Sequence, residues 1–130
     1  MQKIKKNFQE LIKEANAQIK TLKGEDAIKL LQNDNYLFID LRDYREILKE
    51  GKIPRSISCP RGMLEFWVDP TSPYYKKKID LSKTFILYCA SAWRSALAAK
   101  TLKEMGLDKV FHIEGGFSNW KKLNGPIEAA

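Results

Sequence analysis

The chain has 130 residues, of which 44% are hydrophobic and 30% are charged, and it carries a formal net charge of +7. This size and composition are those of one folded domain with a continuous core, and they exclude a disordered or fibrous protein. No apolar run approaches the length of a membrane span, which argues against a membrane protein.

The positive charge is spread along the sequence. The one dense cluster of lysines, residues 76–78, has no basic run beside it. No signature of a DNA-binding or RNA-binding domain accompanies the charge, so we expect a solvated surface and no nucleic-acid partner.

The cellular compartment is indicated by the N-terminal segment and by the cysteines. Residues 1–20 lack the apolar block and cleavage site of a secretory signal, and they contain Glu10 and Glu14 but no arginine, unlike an organelle transit peptide. Two cysteines, Cys59 and Cys89, are too few for a disulfide framework. We therefore expect free thiols and a cytoplasmic protein.

The first predicted element is an amphipathic helix over residues 3–18. Its apolar residues recur at helical spacing between lysines: Ile4, Phe8, Leu11, Ile12, Ala15 and Ile19. We expect a segment 1–18 that packs on a domain formed by residues 19–130, and a helix lying on a membrane surface is the alternative.

A break at "TLKGED" precedes a second helix through residues 27–31. The acidic residues Glu25 and Asp26 suit the positive end of its dipole. "NDN" at 33–35 then ends this helix, and the first of the apolar strands follows.

Short apolar runs then alternate with helical patterns. The runs "YLFID" (36–40), "FILYC" (85–89) and "VFHI" (110–113) predict strands covered on both faces, and "SISC" (56–59) is a weaker strand candidate with an alternating pattern. Helices are predicted over 43–51, 94–106 and 117–125, and the proline-rich and aromatic stretch 60–78 predicts a partly helical excursion. This alternation indicates an α/β domain with a parallel sheet.

Cys89 stands where a strand ends and a helix begins. In open parallel sheets, ligands bind at the carboxyl ends of the strands, against the N-termini of the helices that follow. The next helix is predicted to start near Arg94 or Ser95, with Ala96, Leu97, Ala99, Leu102 and Met105 on its buried face. Its dipole and Arg94 would favour a thiolate at Cys89, which would be nucleophilic at neutral pH.

The residues between Cys89 and Arg94 fit an anion-binding loop. Ala90, Ser91 and Ala92 are small, as expected where backbone N–H groups turn inward around an anion. The alternative is that Cys89 is simply a buried apolar residue, which is common for free cysteine.

Four stretches, in order, bear on this choice: "IDLR" (39–42), "GKIPRSI" (51–57), "YC" followed by "RSA" (88–96), and "EGGFSNW" (114–120). Together they resemble a rhodanese-like sulfurtransferase domain over roughly residues 19–127. The resemblance implies a single domain with a mostly parallel sheet of about five strands flanked by helices, to which the N-terminal helix is an addition.

The resemblance also implies a mechanism, in which Cys89 carries a persulfide. Its thiolate would take sulfur from a small anionic donor such as thiosulfate and pass it to cyanide in an assay or to a thiol in the cell. The loop residues Ala90, Ser91, Ala92, Trp93, Arg94 and Ser95 would bind substrate. No metal or organic cofactor is expected, and no membrane partner.

Other residues are candidates for groups that support the site. The resemblance implies that Asp40 and Arg42 brace loops around the site, while Arg61 could overlook the pocket or be merely exposed. Cys59 is interpreted as a buried thiol and His112 as a satisfied core histidine.

The loop departs from the commonest family pattern at two positions. Ala92 stands where glycine is usual, which predicts a positive φ at this residue. Trp93 would either form an apolar wall of the pocket or pack under the excursion at 60–78.

Three other functions stay open at this stage. A binding or regulatory module on the same fold would not need the thiolate. A phosphatase of a related fold would have one more residue between its cysteine and arginine than the six-residue span Cys89–Arg94. A nucleic-acid binder would show an affinity that falls steeply with salt.

Overall fold

The apolar runs form the centre of a parallel sheet in the computed structural model, which describes all 130 residues. The strands are β1 (Lys20–Leu22), β2 (Tyr36–Asp40), β3 (Ile57–Ser58), β4 (Thr84–Tyr88) and β5 (Val110–Ile113). The helices are α1 (Phe8–Asn16), α2 (Gly24–Lys29), α3 (Tyr44–Glu50), α4 (Leu64–Val68), α5 (Trp93–Glu104) and α6 (Gly116–Lys122), with a 3₁₀ turn at Arg61–Met63. All neighbouring strands are parallel, in the order β1-β5-β4-β2-β3. The predicted α/β fold is confirmed.

The central strands are apolar on both faces because helices cover both sides of the sheet. On one face, Ile39 and Leu87 pack with alanines of α5 in one buried cluster. On the other face, Phe38 and Ile86 belong to a second cluster with Trp120 of α6. Such strands read as continuous apolar runs, which is why the sequence predicted them.

The sheet contains one strand that the sequence did not predict. β1 pairs with β5 at the edge, with Thr21 opposite His112. Residues 20–22 form a short, partly polar stretch followed by lysine and glycine, a pattern that predicts a break between two helices and not a strand. An edge strand has only one neighbour and needs little apolar character, so periodicity did not reveal it.

The N-terminal helix is shorter than predicted. It begins at Phe8, where the Asn7 side chain accepts a hydrogen bond from the Glu10 N–H (2.9 Å) and caps the helix. Ile4 lies outside it and is exposed, and Ala15 is the helix's one fully buried residue. α1 lies against α5 through this narrow face.

The buried face of α5 is built mainly from small residues. Ala96, Ala98, Ala99 and Leu102 are buried, whereas Leu97 is half-buried and Met105 is exposed, which corrects the predicted face. The helix starts at Trp93, one residue earlier than predicted. The excursion at 60–78 is partly helical, as predicted, through the 3₁₀ turn and α4.

None of the helices combines the length and the apolar character that crossing a membrane requires.

Candidate functional site

Cys89 directly follows β4, and its side chain is almost completely buried, with 1% of its surface exposed. The Ser95 backbone N–H, in the first turn of α5, donates a hydrogen bond to Cys89 Sγ (3.4 Å), and Ser95 Oγ lies 3.7 Å from the same sulfur. Donors at this distance stabilise a thiolate more than a thiol. The sulfur therefore sits at the positive end of α5, as the sequence predicted.

The N-terminus of α6 holds the carbonyl groups of the loop. The Phe117 N–H donates to the Cys89 carbonyl (2.8 Å), and the Ser118 N–H donates to the Ala90 carbonyl (3.1 Å). Gly116 makes this approach possible, since a Cβ at this position would lie 2.6 Å from the Cys89 carbonyl oxygen. The "EGG" turn thus allows the N-terminus of α6 to lie directly against the loop.

The backbone donors of the loop have no hydrogen-bond partners. None of the backbone N–H groups of residues 90–94 donates a hydrogen bond to another protein atom. Because the carbonyls of Cys89 and Ala90 are fixed toward α6, the N–H groups of Ala90 and Ser91 in the same trans peptide units face away from α6. With the other unpaired N–H groups of the loop, they are available to an anion.

Ala92 has the positive φ that its position predicted. Its φ of 72° and ψ of 4° lie in the left-handed region, and it is the N-cap residue of α5. A non-glycine residue pays about 1–2 kcal/mol for this conformation, and the loop retains it because α5 and α6 fix both ends.

We expect Ala92→Gly to be nearly neutral, because relief of the left-handed strain is offset by about 0.5–1 kcal/mol of extra chain entropy. Ala92→Val should lower both the free energy of unfolding and the loop's function, since a β-branched residue tolerates positive φ poorly. Urea titration measures the stability, and the uptake of sulfur from thiosulfate measures the function that the family resemblance implies. An Ala92→Val protein with normal stability and loading would contradict this account of the loop.

Arg94 makes a bidentate ion pair with Glu46 of α3. Its Nη1 and Nη2 donate to the two carboxylate oxygens at 2.7 and 2.9 Å. This pair lowers the pKa of Glu46 to about 2. The same carboxylate, and secondarily Cys89, raise the pKa of Arg94. The sequence did not identify Glu46, whose only local signal was its place in the capping box of α3.

Asp40 and Arg42 form a buried network beneath the site. Arg42 Nε and Nη2 donate to the two Asp40 carboxylate oxygens at 3.0 and 2.7 Å, and Nη2 also donates to the Gly51 carbonyl (2.8 Å). The Tyr88 hydroxyl donates to Asp40 (2.7 Å), and the guanidinium stacks 4.2 Å from the centre of the Phe117 ring. These contacts tie the ends of β2, β4 and α6 together, as a bracing role requires.

Arg61 and Cys59 are engaged elsewhere. Arg61 donates to Glu65 (2.8 Å) and to Thr101 in the second half of α5 (3.3 Å), and it makes no hydrogen bond with the loop. Cys59 is fully buried, and burial raises the pKa of its thiol to about 12.

Trp93 packs against the N-terminal helix, which neither of the two predictions for this residue anticipated. Its ring lies 4.9 Å from that of Phe8 in α1, and about half of each side chain is exposed. The contact joins the N-terminal helix to the rim of the loop, where it forms an exposed aromatic edge. It does not lie under the excursion at 60–78.

A cleft of about 260 Å³ opens beside the loop and is lined by Ala90, Ser118, Arg42 and Glu46, among others. No group of three or more His, Cys, Asp or Glu side chains is arranged to hold a metal ion.

Comparison with known proteins identifies related chains. The rhodanese-like domain family matches residues 23–123. A structure from Rhodopseudomonas palustris, a protein of unknown function described as a possible tyrosine phosphatase, is 51% identical, with a TM-score of 0.94 and 98% of each chain covered. The polysulfide-sulfur transferase homodimer of Wolinella succinogenes is 33% identical, with a TM-score of 0.75 over 95% of this chain and 88% of that one.

Among curated sequences, a mouse thiosulfate sulfurtransferase/rhodanese-like domain-containing protein is 31% identical over 96 residues, which is 70% of this chain. The present chain spans 61% of the length of that relative. It spans only 28% of a tRNA uridine(34) hydroxylase from Salmonella newport, which is 26% identical over 101 residues.

Proposed function

The chain belongs to the rhodanese-like domain family, and from this membership and the geometry around Cys89 we propose that it is a sulfurtransferase that works through a Cys89 persulfide. The observation that carries the proposal is a nearly buried sulfur beside five unpaired backbone N–H groups at the start of α5. This arrangement suits an anion bound next to a nucleophile. The polysulfide-sulfur transferase of W. succinogenes, at 33% identity, supports the same class of reaction.

The reaction takes place in two steps. The Cys89 thiolate attacks the outer sulfur of thiosulfate or a related donor; the sulfur–sulfur bond of the donor breaks, and sulfite leaves with the bonding electron pair. The new persulfide anion is stabilised by the amides of residues 90–94. Cyanide, or a thiolate in the cytoplasm, then attacks the outer sulfur and restores the Cys89 thiolate.

Intact mass spectrometry tests the proposal. Thiosulfate should add one sulfur atom to the protein, and cyanide should remove it and release thiocyanate. A protein that gains no sulfur from thiosulfate or from polysulfide would contradict the proposal and would favour a non-catalytic binding or regulatory module on this fold.

Phosphatase activity is the second candidate, because the R. palustris protein at 51% identity is described as a possible tyrosine phosphatase. The six-residue span Cys89–Arg94 is shorter by one residue than the loop that holds a phosphoryl group in related phosphatases. Hydrolysis of an aryl phosphate that orthovanadate inhibits, in a protein that takes up no sulfur, would favour the phosphatase.

The Arg94–Glu46 ion pair should affect how tightly the sulfur donor binds. Arg94→Ala should raise the KM for thiosulfate roughly tenfold, because a charge-assisted contact is lost. Glu46→Gln should lower the same KM several-fold, since the arginine no longer shares its charge with a carboxylate, while glutamine preserves the capping box. Both are measured by thiocyanate formation against thiosulfate concentration.

The matched control is Glu50→Gln on the same helix. Glu50 pairs with Lys121 (2.7 Å) at similar exposure but makes no contact with Arg94. If Glu50→Gln lowered the KM as much as Glu46→Gln, the effect would come from overall charge and not from the pair.

A further inference from the structure

A buried chain of hydrogen bonds leads from Cys89 away from the loop. Ser95 Oγ lies 3.7 Å from Cys89 Sγ and 2.9 Å from His112 Nδ1. His112 Nε2 lies 3.1 Å from Thr21 Oγ1 on the neighbouring strand. Ser95 and His112 are 0% and 2% exposed, whereas Thr21 reaches solvent. These hydrogen bonds therefore connect the sulfur to the edge of the sheet through two fully buried polar side chains, those of Ser95 and His112.

The chemistry of the sulfur sets the direction of these hydrogen bonds. A thiolate accepts only, so the Ser95 hydroxyl must donate to it. Ser95 Oγ then accepts from His112, which places the ring proton on Nδ1, and Nε2 in turn accepts from the Thr21 hydroxyl. With His112 as the other neutral tautomer, its Nδ1 would accept the Ser95 hydroxyl proton, and the sulfur would lose that donor.

We propose that His112, held by Thr21, is a positioning residue that keeps the Ser95 hydroxyl donating to the Cys89 thiolate. The inference rests on the proposed function only in that Cys89 must react as a thiolate. His112 is the satisfied core histidine that the sequence predicted, with both ring nitrogens hydrogen-bonded, and the inference adds a role in the site for it and for β1.

His112 performs this role in its neutral form. Burial lowers its pKa to about 4, so the ring carries no charge from pH 6 upward and supplies a donor of fixed direction. The charged groups nearest the loop are Arg94 from α5 and Glu46 from α3, which pair with each other. Arg42, which lines the cleft beside the loop, is paired with Asp40, and Lys121 is paired with Glu50. All of these groups are unchanged in the variants below.

Two substitutions of His112 separate positioning from packing. The side-chain amide nitrogen of asparagine occupies the place of Nδ1, whereas that of glutamine occupies the place of Nε2. His112→Asn can therefore still donate to Ser95, and His112→Gln can keep only the contact with Thr21. Both are uncharged and polar, and asparagine, the smaller of the two, leaves the larger gap at this buried position. Loss of packing alone would therefore affect His112→Asn more than His112→Gln, which is the opposite of the result expected from positioning.

The experiment measures alkylation of Cys89 by iodoacetamide at pH 6 and pH 9, followed at the Cys89 peptide by mass spectrometry. The rate at pH 6 divided by the rate at pH 9 reports the fraction of Cys89 that is thiolate at the lower pH, and its measurement requires no sulfur donor. We expect His112→Gln to lower this ratio about five- to tenfold, as loss of one hydrogen bond of ordinary net strength predicts, because the Ser95 Oγ–Cys89 Sγ distance of 3.7 Å is long for a charge-assisted contact. Ser95→Ala should lower it at least as much, Thr21→Val by a smaller factor, and His112→Asn by less than about twofold.

Equal ratios in wild type, His112→Gln and Ser95→Ala would overturn the inference, as would an equal loss in His112→Asn and His112→Gln. Thermal unfolding of each variant identifies those that fail to fold. Thr21→Val lies at the exposed edge of the sheet, so it tests the series of hydrogen bonds without a change in the core. Sulfur loading of the wild type is measured separately. Absence of loading would refute the proposed function but leave the alkylation ratios interpretable.

Discussion

Cys89→Ser protein should take up no sulfur from thiosulfate and form no thiocyanate, while it remains folded. A serine hydroxyl is a far weaker nucleophile than a thiolate, and its oxygen cannot hold a transferable sulfur atom. Serine is close to cysteine in size and can accept the Ser95 N–H, so the loop should keep its shape. Turnover should fall to the rate without protein, measured as thiocyanate formation and as the intact mass.

The control for this variant is Cys59→Ala. Cys59 is buried, its thiol has a pKa raised to about 12, and it is bonded to no other cysteine. The Cys59→Ala protein should therefore load sulfur at a normal rate, although removal of a buried side chain lowers its stability. Sulfur uptake by Cys89→Ser, or its loss in a folded Cys59→Ala protein, would show that Cys89 does not act alone.

Asp40→Ala should lower the free energy of unfolding by about 3–5 kcal/mol. Asp40 accepts from the Arg42 side chain, the Arg42 backbone N–H and the Tyr88 hydroxyl, all of them buried. Its removal leaves the guanidinium in the core with the Gly51 carbonyl as its remaining hydrogen-bond partner. Urea unfolding followed by tryptophan fluorescence provides the measurement.

Two comparisons define the cause of this loss. Asp43→Ala removes an exposed carboxylate that caps α3 and should cost about 1 kcal/mol. The double variant Asp40→Ala with Arg42→Met should recover part of the stability, because no unpaired charge is then buried. If the double variant were no more stable than Asp40→Ala alone, loss of packing and not an unpaired charge would be the cause.

The sequence predicted the parts of this fold that depend on local patterns. β2 matches its predicted bounds, and β4 and β5 follow from apolar runs that helices cover on both faces. The position of Cys89 was also predicted, because a strand end, a run of small residues and a helix start stand next to one another in the chain. The left-handed conformation of Ala92 followed from the family resemblance, in which glycine is usual at this position.

The contacts that sequence reasoning missed join residues that are far apart in the chain. Glu46 and Arg94 are separated by 48 positions, and Ser95 and His112 by 17. Thr21 gave no signal at all, since β1 is three residues long and lies at an edge. Pairing of such groups depends on how the strands are ordered in the sheet, and a single sequence gives periodicity but not strand order.

The strand order also has a consequence for folding kinetics. β1 pairs only with β5, with Lys20 opposite Phe111, and α1 lies against α5. The main partners of the segment from Phe8 to Leu22 are therefore α5 and β5, which come late in the chain. Loops of this length close late and slowly, because their entropy must be lost before any contact is gained. We expect this N-terminal segment to join the folded domain after the central sheet has formed.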